Sequence, residues 1–264
     1  MHRGKTMHSI LLKAKSLFTP SPKVQSEKKT RHLFIDLYRG WAIIIMIETH
    51  IVNEMLVTSF QKNSWSFLLN YMNGMVAPSF LFISGFSFFL AISKKPAILK
   101  TLKKILFVWI IGYALHLPYY SFKKIFWELS YDRYLSFIQV DVLHCIAAGW
   151  LIMLIASLII RSSKGYFIFL WIAAIGIVTL APFIWKTDFG KFVPIPVAAY
   201  FNKQYNSLFP LFPWVAFMLF GGIIAHIFTK VIKKEKEKPF IRNLFIIGII
   251  LVALFFIVFH VFSR

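Results

Sequence analysis

Seven long apolar segments constrain this chain more than any other feature of its sequence. They cover about residues 33–56, 67–92, 101–117, 139–160, 165–185, 208–229 and 242–262. Each is close to the roughly 20 residues that an α-helix needs to cross the hydrocarbon core of a bilayer. The composition agrees, since 58% of the residues are hydrophobic and the mean hydropathy is +0.69. The segments predict an all-α fold, a polytopic transmembrane bundle of about seven helices.

The charge pattern favours a membrane over nucleic acid as the partner of this chain. Thirty Lys and Arg residues against 10 Asp and Glu residues give a formal charge of +20. These cations are not collected on one stretch but lie mainly in the connections between the apolar segments. Most of them fall on connections that would be cytoplasmic if the N-terminus is cytoplasmic. The positive-inside rule therefore predicts a multi-pass protein of the cytoplasmic (plasma) membrane with its N-terminus inside.

The chain is predicted to hold a short tail and one membrane domain. Residues 1–32 are basic, too polar to span a bilayer, and lack the apolar core of a cleaved signal peptide. We interpret them as a basic cytoplasmic tail that precedes a transmembrane domain over residues 33–264. The sequence shows no glycine-rich phosphate loop and no metal-ligand spacing of His and Cys, so no metal is expected.

The first apolar segment carries ionisable residues on one stripe. At about 100° per residue, the eleven steps from Arg39 to His50 return to within roughly 20° of the same direction and cover about 16 Å of helix axis. Asp36 lies near Arg39 on this stripe, and Glu54 lies near His50. Ionisable groups in hydrocarbon are costly and usually face a bundle interior or a wet cavity. The stripe is therefore a candidate functional feature, although an ion pair at the helix start and a core histidine would explain parts of it.

A second polar pair stands at the start of the fourth apolar segment. Asp141 and His144 in VDVLHC are three residues apart, and so are neighbours on one helix face near the predicted outer surface. Asp141 is a candidate to orient His144. An acidic residue at a helix N-terminus is also simply good helix chemistry.

Small residues in two segments predict close helix packing. Ser84, Gly85 and Ser87 interrupt the second segment, and Gly221 and Gly222 interrupt the sixth. Small side chains allow the backbones of two membrane helices to approach each other. We interpret both groups as packing features.

Four segments together resemble a known family. They read RHLFIDLYRGWAIIIMIETH, APSFLFISGFSFFLA, DVLHCIAAGWLI and PIPVAAYFN…FPLFPWVAFMLFGGIIA. They are similar to transmembrane acyltransferases, in particular to bacterial relatives of heparan-α-glucosaminide N-acetyltransferase, and the likeness runs from about Arg31 to Ala225. The spacing of Arg39 and His50 also resembles the Arg-x10-His signature of acyltransferase-3 proteins. Such proteins commonly have more spanning helices than this chain, and eukaryotic relatives carry asparagine where His50 stands here.

The resemblance implies a membrane enzyme that moves an acyl group, typically acetyl, from cytoplasmic acyl-CoA to an amine or hydroxyl of a sugar or glycan at the opposite face. Arg39 would hold a CoA phosphate and Asp36 would position it, while His50 would be the general base with Glu54 as its orienter. The candidate catalytic residues are His50, Glu54, Asp141 and His144, and the candidate donor-binding residues are Arg39 and Asp36. The aromatic connection from Pro194 to Tyr205 is a candidate mouth for the acceptor.

Two other functions stay open at this point. A transporter or channel would use the same charged stripe to bind a polar solute or to relay protons. A scaffolding membrane protein would use it only to hold helices together. Whether the chain forms a homodimer is not decided by the sequence.

Overall fold

The computed structural model describes residues 33–55, 64–93, 97–120, 124, 130–232 and 236–262, and within these ranges it consists of helices and the turns that connect them. The α-helices in these ranges are α1 (Leu33–Met55), α2 (Ser64–Ile92), α3 (Ile98–Leu115), α4 (Tyr131–Ile138), α5 (Val142–Ile159), α6 (Ser163–Lys186), α7 (Ile195–Ala198), α8 (Leu211–Ile232) and α9 (Glu237–Phe262). The predicted all-α fold is confirmed. The predicted tail, residues 1–32, lies outside the described ranges.

Four helical stretches of the described residues are long and apolar enough to cross a membrane. They are Tyr71–Ile92, Val142–Ile159, Ser163–Lys186 and Leu211–Ile232. Each coincides with one of the predicted spans, and the other three predicted segments form α1, α3 and α9. A helical membrane bundle therefore fits both sequence and structure, while the number of spans and the cytoplasmic N-terminus stay predictions.

Helix α8 lies at the centre of the packing. The chain divides into two compact units, Met1–Asp36 and Leu37–Arg264, and within the second unit α8 packs against α2, α5 and α6. Its side chains Met218, Leu219 and Phe228 are buried. Helix α3 packs against α5.

Two glycines make the central contact between α2 and α8 possible. A β-carbon added at Gly85 would collide with the main-chain carbonyl of Met218, and one added at Gly221 would collide with that of Phe82. The two backbones therefore touch, which only glycine allows at these positions. The prediction of close packing at these glycines is confirmed.

Helices α1 and α9 lie at the periphery. Large apolar side chains of α1, such as Trp41 and Ile44, are exposed, as is Phe245 of α9. A hydrogen bond of 2.8 Å from the Thr49 hydroxyl to the Asn73 side-chain oxygen ties α1 to α2. Exposed apolar surface of this kind suits contact with lipid, where it carries no hydration cost.

Candidate functional site

A cavity of about 340 Å³ lies between α1, α2, α3 and α5. Its lining consists of Arg39 from α1; Phe80, Ile83, Ser84, Ser87, Phe88, Ala91 and Ile92 from α2; Thr101, Lys104 and Val108 from α3; and Leu143, Ile146 and Trp150 from α5. The walls are mainly apolar with a few polar groups, as is usual for ligand pockets, and the volume is near the lower end of their range of roughly 300–1,000 Å³. A cavity of this size suits a slender ligand or the narrow part of a larger one.

Two cations belong to the cavity wall. Arg39 comes from the first half of α1, and Lys104 lies in the second turn of α3. Both side chains are exposed, so they meet solvent as well as the cavity. A pair of cations on one cavity wall favours an anionic ligand group, and an arginine fork suits a phosphate in particular.

Three polar atoms of the cavity residues are buried without a hydrogen-bond partner among the described residues. They are the hydroxyl oxygens of Ser84 and Ser87 and the indole nitrogen of Trp150. The indole ring is held in place by stacking on Phe88, with ring centroids 5.4 Å apart. Buried polar groups are nearly always satisfied, and an orphan costs roughly 1–3 kcal/mol. Because their residues line the cavity, these three groups are candidates to bond with a ligand there after a small side-chain rotation.

His144 stands at the first turn of α5, where a capping box fixes its tautomer. The Asp141 carboxylate accepts the Val142 N–H at 2.6 Å, and the Asp141 N–H donates to His144 Nδ1 at 3.3 Å. Because Nδ1 accepts, the proton of the neutral ring is assigned to Nε2. The imidazole is therefore oriented by the backbone of Asp141, whereas the carboxylate caps the helix.

The His144 ring is enclosed by α3. It is completely buried, and its Nε2 has no partner in the described part of the chain. Tyr113 meets it edge-on with centroids 4.2 Å apart, and the His116 ring is 6.3 Å away. A β-carbon at Gly112 would lie 2.8 Å from the imidazole Cε1 and 2.9 Å from Nε2. The glycine is what leaves room for this ring.

The connection between α6 and α8 reaches into the same region. The Tyr200 hydroxyl accepts the Trp109 indole N–H at 2.7 Å and lies 3.1 Å from the Tyr113 hydroxyl. Burial, and then the Tyr113 hydroxyl, raise the pKa of Tyr200 well above its usual value. The phenol therefore stays protonated, and a chain of polar aromatic groups runs from this connection through α3 to His144.

A second hydrogen-bonded group orders the start of this connection. The Tyr205 hydroxyl donates to the Asp188 carboxylate at 2.5 Å, and the Gly190 N–H donates to both side chains. The hydrogen bond from Tyr205 is the main cause that lowers the pKa of Asp188, and the same bond raises the pKa of Tyr205. Asn202 fastens the other arm of the connection through its bond to the Thr187 carbonyl at 2.7 Å. The predicted acceptor mouth is thus an ordered segment.

The structure does not bring all the predicted site residues together. Arg39 lines the cavity, whereas His50 is exposed on α1 and is not part of the lining. Asp36 belongs to the first compact unit and Arg39 to the second. The backbone of Glu54 is in α1, but its side chain lies outside the described residues. The roles predicted for these residues stay predictions.

Several polar residues of the site were not predicted to be functional. Ser84 and Ser87 were interpreted as packing residues, and Lys104 contributed only to the charge count of its connection. A signal was present in each case, because Ser84 and Ser87 are three residues apart on one face of an apolar helix, as are Thr101 and Lys104. The pairing of these faces across a cavity depends on which helices are neighbours, and the sequence does not state that.

A comparison with known families gives one match that covers most of the chain. The family model for heparan-alpha-glucosaminide N-acetyltransferase, catalytic, matches residues 31–261. No curated protein and no solved structure matches the chain significantly.

Proposed function

The chain belongs to the heparan-alpha-glucosaminide N-acetyltransferase catalytic family, and we propose that it transfers an acetyl group from cytoplasmic acetyl-CoA to an amine or hydroxyl of a sugar at the opposite face of the membrane. Membership in this family supports a membrane acetyltransferase over a transporter or a scaffold. The observation that carries the finer proposal is the cavity, whose lining residues include two cations and three residues with buried polar atoms that lack a partner in the described part of the chain.

The cavity matches the chemistry of the donor in two respects. Arg39 and Lys104 would bind CoA phosphates at the solvent-exposed part of the cavity. The pantetheine arm is narrow, apolar and interrupted by amides, so it suits a mainly apolar cavity whose few polar atoms lack partners. Along α3, the lining residues Lys104 and Val108 are four residues or about 6 Å apart, so an arm that leaves the cations would run along this wall.

The reaction needs the acceptor to lose one proton and CoA to gain one. The acceptor nitrogen or oxygen adds to the thioester carbonyl carbon, and the carbonyl electron pair moves to oxygen. When that pair returns, the bond between carbon and sulfur breaks, CoA leaves as a thiolate, and the proton from the acceptor ends on the sulfur. We assign the removal of that proton to His50, and Glu54 and Asp36 keep the supporting roles that the sequence predicts for them.

Calorimetric titration of acetyl-CoA into the purified full chain in lipid nanodiscs tests the donor site. A charge-assisted hydrogen bond is worth about 1.5–3 kcal/mol, so Arg39→Ala and Lys104→Ala should each weaken binding by roughly 10- to 150-fold. Lys103→Ala is the matched control, because Lys103 is an exposed neighbour that does not line the cavity. Equal affinity in the wild type and both cavity variants would refute this assignment.

Transfer itself is tested in proteoliposomes with radiolabelled acetyl-CoA outside and glucosamine inside as a simple amino-sugar probe. Labelled N-acetylglucosamine should accumulate in the lumen, and His50→Ala should slow it while acetyl-CoA still binds. Formation of the product only when both substrates are on one side would refute the proposed sidedness.

A further inference from the structure

Two cations converge on one aromatic ring beyond the end of α3 that lies away from the cavity. The Lys124 ammonium lies 5.7 Å from the centre of the Tyr119 ring, and the Arg133 guanidinium carbon lies 5.3 Å from it. Because both distances end on one ring, the two charges are separated by no more than their sum, which is close to the Debye length of about 8–10 Å in physiological salt. Like charges at this range repel each other, and an anion between them would relieve that repulsion.

No described carboxylate neutralises the two cations. Among the residues that the structure describes, neither Lys124 nor Arg133 forms an ion pair, not even with the acidic neighbour Asp132. All three side chains are exposed, so the cations meet water. A guanidinium or an ammonium that lies over a ring keeps N–H donors that point away from it. The two cations can therefore bind one anionic group while they stay on the ring.

The backbone of Tyr119 is in an unfavourable conformation. Its φ of 58° and ψ of 0° lie in the left-handed region, which a bulky residue rarely adopts. The residue before it, Pro118, is buried and has a restricted φ. Strained residues concentrate at binding and active sites, where the surrounding structure holds them in place. A ring placed in this way suits a specific ligand better than a loosely attracted counter-ion.

Helix α4 leads from this cluster to the predicted acceptor mouth. Arg133 lies in its first turn, and the helix packs on the turn that holds Tyr119. The pKa of Tyr205, in the acceptor mouth, is raised mainly by its hydrogen bond to Asp188 and to a smaller extent by the charge of Tyr131 at the start of α4. The start of α4 is therefore near both the cation cluster and the acceptor mouth.

We propose that Tyr119, Lys124 and Arg133 form a binding site for an anionic group, phosphate or carboxylate, on the sugar acceptor. This inference rests on the proposed function, because it takes an amino sugar as the acceptor. The site and the donor cavity use opposite ends of α3, since Lys104 lies eleven residues or about 16 Å before the last helical residue, Leu115. Two anionic substrates that arrive from opposite faces of the membrane would each meet their own pair of cations.

The headgroup of an anionic lipid is the competing occupant, because Lys, Arg and Tyr side chains are common at membrane surfaces. Two observations favour the sugar. The exposed first turn of α4 reads Tyr-Asp-Arg, so it is polar where a site for acyl chains would be apolar. The strained backbone of Tyr119 also fixes the ring more closely than a mobile headgroup requires.

Acetyl transfer to two matched sugars tests the site in the same proteoliposomes. Glucosamine 6-phosphate and glucosamine, which differ by one anionic group, are trapped in the lumen at a series of concentrations. The wild type should show a lower KM for the phosphate. An exposed ion pair is worth roughly 1.5- to 5-fold in binding, so Arg133→Gln should reduce the KM difference by about this factor. The double variant with Lys124→Gln should reduce it by about 2- to 25-fold.

Two further variants separate the site from general charge and from folding. Lys186→Gln removes an exposed cation at the end of α6 that does not lie over Tyr119, and it should keep the KM ratio of the two sugars. Tyr119→Gly removes the ring and should lose the preference for the phosphate. Because glycine adopts the left-handed backbone without strain, this variant keeps the test valid if Arg133→Gln does not fold.

The outcomes separate this site from the proposed function. Equal KM values for the two sugars in the wild type, or a preference that persists in the double variant, would overturn the site and leave the proposed function standing. Equal KM values together with phosphatidylglycerol that copurifies with the wild type but not with the double variant would assign the cations to lipid headgroups instead. If neither sugar is acetylated, the proposed function fails, and equilibrium binding of glucosamine 6-phosphate decides the site: binding that the double variant lacks supports it, and an absence of binding overturns it.

Discussion

Replacing both cavity serines by alanine should stabilise the ligand-free protein and weaken its binding of acetyl-CoA. Ser84 and Ser87 line the cavity, and their buried hydroxyls have no partner among the described residues. A buried orphan hydroxyl costs roughly 1–3 kcal/mol, so the double variant should gain about 2 kcal/mol of unfolding free energy at the low end of that range. Changes of opposite sign in stability and affinity are the mark of groups kept for a ligand.

The expected loss of affinity follows from the same two hydroxyls. If each makes one ordinary hydrogen bond to the bound arm, the loss is about 0.5–1.5 kcal/mol per site. The double variant should therefore bind acetyl-CoA roughly 5- to 150-fold more weakly. Alanine leaves the crossing of α2 with α8 intact, because that contact is made by the backbone at Gly85.

Reversible unfolding in mixed micelles gives the stability, and calorimetry gives the affinity. The matched control is Ser93→Ala, since the exposed Ser93 hydroxyl already donates to the Phe89 carbonyl at 2.8 Å and does not line the cavity. It should change either quantity by no more than about 0.5 kcal/mol. A double variant that is less stable without ligand, or that binds acetyl-CoA as the wild type does, would show that the hydroxyls are not ligand groups.

Three further predictions concern the frame of the site. Gly85→Leu should destabilise the protein by about 1–3 kcal/mol or more in micelle unfolding, because its β-carbon meets the backbone of α8, whereas Gly176→Leu, with open space around it, should be close to neutral. Tyr200→Phe should cost about 1–3 kcal/mol in the same assay, because it leaves an indole N–H of α3 without its acceptor. The lowered pKa of Asp188 contributes stability above its ordinary value of 3.8 that is lost as the pH falls through the folded-state value. Tyr205→Phe removes the main cause, so the Asp188 titration followed by NMR should move to higher pH, and an unmoved midpoint would contradict the assigned cause.

The sequence predicts where the helices of this fold lie along the chain better than it predicts which helices pack against each other. The apolar segments are visible because a helix in lipid must satisfy its own backbone, which makes each span a continuous apolar run. The short helices α4 and α7 in the connections have no such run and were not predicted. Gly85 and Gly221 were recognised as packing residues because small side chains have few other uses in an apolar helix.

The candidate site was predicted only where residue type alone was informative. Arg39 was singled out because a cation in an apolar helix is costly, and it does line the cavity. Lys104 carries the same charge but lies in a basic stretch at the start of α3, where cations are expected for topological reasons. Helical periodicity placed His50 on the side of Arg39, but periodicity gives only a direction around one helix. Whether a direction meets a cavity depends on which helices pack there.

The orphaned atoms are more informative about chemistry than the charged stripe on α1. A charged residue near the end of a membrane helix can reach water or a lipid headgroup at little cost in free energy. Four buried polar groups reach neither water nor a hydrogen-bond partner within the described structure: the hydroxyls of Ser84 and Ser87, the indole N–H of Trp150 and the Nε2 of His144. Three of them belong to residues that line one cavity. Because each is a neutral group, they would suit the neutral arm of the proposed donor, while Arg39 and Lys104 would suit its anionic end.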